Sequence, residues 1–279
     1  MRTIHVDDIT RTVKELVQTA NYDLGEDVVA ALRKGLEEEV SPAGRTVFGA
    51  LMENAEIAKK ERVPMCQDTG FAVFFVEMGR ELHIDGGILQ NAIDEGVRRG
   101  YEEGFLRKSI CDPFTRVNTK DNTPSVIILE QVEGDRLKII AAPKGGGSEN
   151  MSRLTMLAPA AGKKGIVDFV VKRCGEAGAN PCPPVIVGVG IGGSAEKCMT
   201  IAKKALLRPI GSANPDTELA ELEAEILEKA NSLGIGPEGF GGRIFAMAVH
   251  IEKHPCHIAS LPLAVNICCH ASRHKEAVL

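Results

Sequence analysis

Cysteine is the residue type in this chain whose surroundings point most directly to chemistry. Among its eight cysteines, three are set apart by context: Cys66 opens the polar turn Cys66-Gln67-Asp68-Thr69-Gly70, Cys182 stands between Asn180-Pro181 and Pro183-Pro184, and Cys269 closes an apolar run. Prolines fix φ and remove N–H donors, so Cys182 belongs to a rigid irregular loop from which a thiol can be aimed at a site. Rigid loops suit metal ligands. Taken singly, each is also readable as a small buried hydrophobe. Cys268 and Cys269 are neighbours on a predicted strand and point to opposite faces, so only one of them reaches a given site. Cys111, Cys174 and Cys198 lie in or beside predicted helices and read as packing.

Three other patterns compete for a function. Gly188-Val189-Gly190-Ile191-Gly192-Gly193 fits a glycine fingerprint for dinucleotides, after a strand and before a helix, but no acidic strand end follows about 20 residues later. The bland reading is a tight turn or a close backbone approach. Gly145-Gly146-Gly147 offers successive N–H groups to an anion, although no Walker lysine-serine pair follows. His254, Cys256, His257, Cys268, Cys269 and His270 invite a zinc reading, yet the spacing of structural zinc sites is missing.

The elements that must position these residues follow from periodicity. Apolar residues at three- and four-residue spacing predict helices over 7–24, 26–40 and 44–60, with Ile9, Val13, Leu16 and Val17 facing inward on the first. A strand is predicted over 71–77, a helix over 87–104, and a hairpin of strands 125–132 and 137–142 turning at Glu133-Gly134-Asp135. Further on, helices are predicted over 165–175, 194–207 and 217–233, and strands over 185–191, 244–250 and 258–267. The fold class is α+β, with helices and an antiparallel sheet, one catalytic region over 1–279 and an internal lobe boundary near residue 160.

The totals exclude several classes. The formal net charge of −5 and the absence of a concentrated basic face oppose nucleic acid as a partner, as do aromatics at 4% with no Trp. The charged start Met1-Arg2-Thr3-Ile4-His5 has no apolar signal segment, and the most apolar stretch, 184–193, is too short to cross a bilayer. A cytoplasmic protein with reduced thiols is the expectation.

Taken together, five blocks resemble the α region of class I fumarases and L-tartrate dehydratases. They are Cys66-Gln67-Asp68-Thr69-Gly70, Leu106-Arg107-Lys108-Ser109, Lys144-Gly145-Gly146-Gly147-Ser148, Cys182-Pro183-Pro184 with Ile191-Gly192-Gly193-Ser194-Ala195-Glu196, and His257 twelve residues before Cys269. The likeness runs from about residue 10 to the C-terminus. It implies a [4Fe-4S] cluster held by Cys66, Cys182 and Cys269, with Cys268 open as the alternative third ligand. One iron is left without a protein ligand, to act as a Lewis acid on a hydroxy-acid. It also implies Asp68 beside the substrate hydroxyl, Arg107, Gly146 and His257 as substrate contacts, and Asp68 and His257 as the catalytic pair.

The implied reaction is reversible hydration of fumarate to L-malate, a step of the tricarboxylic acid cycle, with L-tartrate dehydration as the alternative. In relatives Arg107 reaches the site from a neighbouring subunit, implying a homodimer of this chain. Single-chain members continue into a second region, whereas this sequence ends at Leu279. A separate beta subunit completing an α2β2 enzyme is therefore expected. The sequence departs from the family where Ser260-Leu261-Pro262 replaces Ser-Cys-Pro and where His270-Ala271-Ser272-Arg273 replaces Ser-Ala-Asp-Arg.

Overall fold

A computed structural model describes residues 2–279, leaving Met1 and its part in the charged N-terminus outside the described residues. The order along the chain is β1 (Arg2–His5), α1 (Val6–Tyr22), α2 (Glu26–Glu38), α3 (Pro42–Glu61), β2 (Val73–Gly79), β3 (Leu82–Asp85), α4 (Leu89–Glu103), β4 (Val126–Val132) and β5 (Leu137–Ala141). It continues through α5 (Gly146–Glu149), β6 (Arg153–Leu157), α6 (Gly162–Ala177), β7 (Val185–Gly192), α7 (Ala195–Ala205), α8 (Thr217–Asn231), β8 (Ala246–His254), β9 (Leu261–Cys268) and β10 (Lys275–Val278). The fold is α+β. Its residues divide into two compact units, one of 1–24, 54–146 and 273–279, the other of 25–53 and 147–272.

The first unit is built on a four-stranded sheet in the order β10-β5-β2-β4. Val73, Phe74, Phe75 and Val76 make β2 apolar on both faces and all four are buried, as a central strand requires. Helices α1 and α4 pack together: Cβ atoms at Gly96 and Gly100 would overlap the side chains of Val13 and Val17, so glycine at these two positions sets how closely the helices approach. Ile9, Val13, Leu16 and Val17 are all buried, as the helical spacing predicts.

The hairpin expected from β4 and β5 does not form. β2 lies between them, parallel to β4 and antiparallel to β5. The 133–136 turn bonds to the β2–β3 turn instead, with Gly79 N–H donating to Arg136 O and Glu81 N–H to Gly134 O. An apolar strand with partners on both edges buries more than a two-stranded ribbon would, and that overrides the local turn signal. Strands β1, β3, β6 and β10, each of four or five residues, escape the sequence pattern because they are too short to show alternation.

The second unit has a four-stranded sheet in the order β6-β9-β7-β8. Its core includes Val170 and Cys174 of α6, Val187 and Val189 of β7, Ile226 of α8, and Val265 and Ile267 of β9. The glycine fingerprint is explained here by packing. Cβ atoms at Gly188 and Gly190 would overlap the carbonyl oxygens of Ala202 and Cys198, so these glycines let α7 lie directly on β7. Glycine in a strand interior marks such an approach, and no dinucleotide is needed to account for it.

Within the same unit, Glu39 is 1% exposed. Its Oε1 accepts the N–H groups of Val40, Ser41 and Arg243, and its Oε2 accepts those of Arg243 and Ile244, at 2.8–3.0 Å. Burial pushes this carboxyl's pKa up, but the backbone donors outweigh it and hold the carboxyl below the ordinary glutamate range. With the folded value depressed, the stabilisation is present above the unfolded pKa and is lost as pH falls through the folded one. Glu39→Ala should cost about 2–3 kcal/mol in urea unfolding at neutral pH. The gap from wild type should narrow on acidification, and a gap unchanged with pH would contradict this account.

Candidate active site

In the first unit the Cys66 turn is held by backbone bonds. Asp68 N–H donates to Cys66 Sγ at 3.4 Å. The Asp68 carboxylate accepts Gly70 N–H on Oδ1 at 2.9 Å and Gly146 N–H on Oδ2 at 2.8 Å. The approach of the glycine run is tight, since a Cβ at Gly145 would stand 3.2 Å from Asp68 Oδ2. Cys66, Asp68 and Gly146 are thus gathered in one place, with the Gly146 N–H engaged by Asp68.

Buried polar side chains grip the turn from behind. Arg273, 4% exposed, donates through Nη2 to Asp68 O at 2.7 Å and through Nη1 to Asn21 Oδ1 at 3.1 Å. The Tyr101 hydroxyl lies 3.1 Å from Thr69 O and 3.0 Å from Gly70 O, and Asn122 Nδ2 donates to Gly70 O at 3.2 Å. Burial pushes the Tyr101 hydroxyl well above the usual phenol range, with Arg273 opposing, so it remains a donor. Thr69 Oγ1 donates to Arg107 O at 3.1 Å, which fixes the Arg107 backbone beside the turn while its side chain is exposed.

Sequence reasoning missed Tyr101, Asn122 and Arg273. Tyr101 continues the apolar stripe of Ile93 and Val97 on α4 and reads as core, and nothing local marks the other two.

In the second unit the antiparallel pairing of β7 with β9 sets Ile186 opposite Cys268. The start of β7, which Cys182 precedes, therefore lies beside the end of β9, which Cys269 follows. His270 N–H closes the gap with a 3.3 Å bond to Cys182 O. Cys268 is 7% exposed and packs with Ile186, Leu206 and Ala248, whereas Cys269 is half-buried. Burial lowers the pKa of His270, but Glu238 and the neighbouring Cys269 outweigh it and raise it overall.

His257 lies elsewhere. β8 runs parallel to β7 and ends with His254 opposite Gly192, so the 254–260 turn sits at the other end of the sheet from Cys182 and Cys269. The strand length puts it on the order of 20 Å away. There His257 borders a cavity of about 600 Å³ with Gly193, Ser194, Lys197 and Cys256. The same separation breaks the zinc reading, because His254, Cys256 and His257 lie at one end and Cys268, Cys269 and His270 at the other.

The thiols divide by environment. Burial pushes Cys174 up to about 12 and Cys198 up to about 11, which suits packing. Cys111 departs from the expected packing role: it is half-buried, in a loop bridged to Asn118 and outside the helices. Cys66, Cys182 and Cys269 are accessible, outside disulfides, and each lies in a loop beside a strand. Among the described residues no three His, Cys, Asp or Glu side chains converge on a single ion. A cube differs from a single ion in this respect, because each thiolate binds a different iron and the sulfurs stay apart. Thiols on irregular loops, Cys182 exposed and Cys66 and Cys269 half-buried, are of the residue type that donor set requires.

Replacing Arg273 by Met should leave Asp68 O and Asn21 Oδ1 without their donor and destabilise the chain by about 1–3 kcal/mol, measured by urea unfolding. A variant as stable as wild type would show that the guanidinium does not hold the turn.

The chain matches the fumarate hydratase (Fumerase) family over residues 10–278. It is 45% identical over 272 residues to a Methanocaldococcus jannaschii protein named provisionally as an L(+)-tartrate dehydratase subunit alpha, covering 95% of this chain and 95% of that one. It is 34% identical over 274 residues to the L(+)-tartrate dehydratase subunit alpha of Escherichia coli K12, covering 96% and 89%. With its cysteine-bearing loops, a pinned aspartate and a match that spans nearly its whole length, this chain belongs to the fumarate hydratase (Fumerase) family, a family of hydro-lyases.

Proposed function

We propose that this chain, over 1–279, is the alpha subunit of a [4Fe-4S]-dependent hydro-lyase that adds water reversibly to fumarate to give L-malate. The observation that carries the reading is the Asp68 carboxylate, fixed by two backbone N–H groups directly beside the Cys66 thiol. Cys66, Cys182 and Cys269 would hold the cluster, which when bound supplies a Lewis-acidic iron for the substrate hydroxyl.

Asp68 faces that hydroxyl as an acceptor whose orientation is set before substrate arrives, so little reorganisation is needed to take or return its proton. Arg107, exposed on its loop, supplies a guanidinium for a substrate carboxylate. The glycine run admits substrate close to the backbone at Gly146. His257 stands at the far end of the sheet from Cys182 and Cys269, and this supports its serving, like Arg107, the site of a second copy. A homodimer of this chain within an α2β2 assembly is the arrangement proposed, and the relatives' naming as subunit alpha supports a separate beta subunit. Such an enzyme would work in the cytoplasm as part of the tricarboxylic acid cycle; no described helix is long and apolar enough to cross a membrane.

L-tartrate dehydration is the second reading, favoured by the names of those relatives. Both reactions pass between a hydroxy-dicarboxylate and its dehydrated form, and specificity rests on placement of a few polar groups.

Anaerobic co-production with the beta polypeptide, followed by iron and sulfide counts and assays on fumarate and L-tartrate, tests the proposal. Expected are a loaded cluster, fumarate hydration by the pair and none by this chain alone. Hydration by this chain alone would remove the subunit reading, and faster turnover of tartrate would select the second reading. In the loaded pair, Asp68→Asn should lower kcat by about 10²- to 10⁴-fold with unchanged iron content. Undiminished turnover would exclude Asp68 from the chemistry.

A further inference from the structure

Two residues in the second unit hold an unusual backbone conformation close to one another. Cys182 has φ +55° and Glu238 φ +50°, both in the left-handed region that favours glycine. Glu238 stands in a short 3₁₀ turn between Pro237 and Gly239, where glycine would be the relaxed choice. A side chain kept at such a position has a role that offsets the backbone cost.

The two are joined. Glu238 N–H donates to Pro183 O at 2.7 Å, one residue beyond Cys182. The Glu238 carboxylate turns to His270, placing Oε1 3.0 Å from Nδ1. That oxygen is shut off from solvent and faces the imidazole, whose single Nδ1–H stands between it and Cys182 O. His270 in turn reaches Cys182 O twice, through Nδ1 at 3.2 Å and through its backbone N–H at 3.3 Å. Because His270 directly follows Cys269, one imidazole links both cysteine-bearing loops, and Glu238 fixes that imidazole.

We propose that Glu238 and His270 are positioning residues that set the spacing of the Cys182 and Cys269 thiols and thereby the retention and electronic character of the cluster they hold. This rests on the cluster reading given above. Partners that orient ligands from outside the coordination sphere commonly change metal affinity by about 10- to 100-fold. A rigid spacing matters more than usual here, since the ligating loops have no regular structure of their own to fix it.

The test uses the full chain, reconstituted anaerobically with ferrous iron and sulfide, in wild type and as His270→Ala, His270→Asn and Glu238→Gly. Three quantities are read: the rate of cluster bleaching under an iron chelator, the electron paramagnetic resonance signature after one-electron oxidation, and the melting temperature without cluster. His270→Ala and Glu238→Gly should bleach about 10- to 100-fold faster with an altered signature. His270→Asn, which keeps a donor near the Nδ1 position, should recover most of the retention. Glu238→Gly should melt at or above wild type, because glycine relaxes the left-handed backbone.

Wild-type bleaching and signature in both His270→Ala and Glu238→Gly would overturn the proposal. So would faster bleaching that only tracks a lowered melting temperature in every variant. A wild-type chain that takes up neither iron nor sulfide would instead overturn the cluster reading beneath it.

Discussion

A carboxylate drawn partly out of water needs donors, and in the first unit the half-buried Asp68 carboxylate finds them in the main chain. Its two oxygens accept Gly70 and Gly146 N–H groups, and the carbonyl of the same residue accepts Arg273. The bond to Gly146 spans 78 residues and ties the cysteine turn to the glycine run. Glycine at 145 eases that approach, since a Cβ there would stand 3.2 Å from the carboxylate. Tyr101 and Asn122 complete the grip by bonding the carbonyls that follow, so the turn carrying Cys66 and Asp68 is immobilised although it has no regular structure. A preset acceptor is what proton handling at a substrate hydroxyl calls for.

The second unit solves a related problem with a sheet. Antiparallel pairing of β7 and β9 turns a separation of 87 residues between Cys182 and Cys269 into adjacency at one end of the sheet. Gly188 and Gly190 let α7 lie on β7, and the resulting core keeps the strands in register. The same register sends the 254–260 turn to the opposite end. Within this unit His257 and the two cysteine loops thus stand at opposite ends of one sheet. Family membership and the subunit naming of the relatives accord with an assembled enzyme.

Much of the fold was legible in the sequence because the long helices carry their own period. α1, α2, α4 and α8 emerge near their predicted ends, and β2, β7 and β9 were visible as apolar runs. Pairing was not legible. The 133–135 turn signal was real, yet β2 took the place between β4 and β5 because a strand apolar on both faces needs neighbours on both edges. The short strands β1, β3, β6 and β10 are specified by their partners alone.

For the site, residue types and their order determined the family, the cysteines that stand in irregular loops and the aspartate beside the first of them. A thiol next to prolines or in a polar turn is a local property, and so it can be read from sequence. Which groups meet across scores of residues is set by strand register and by satisfaction of buried polar atoms, neither of which is local. The tertiary structure alone therefore decided that Gly146 pins Asp68, that Arg273 and Tyr101 hold the turn, that Cys268 faces the core while Cys269 does not, and that His270 bridges to Cys182.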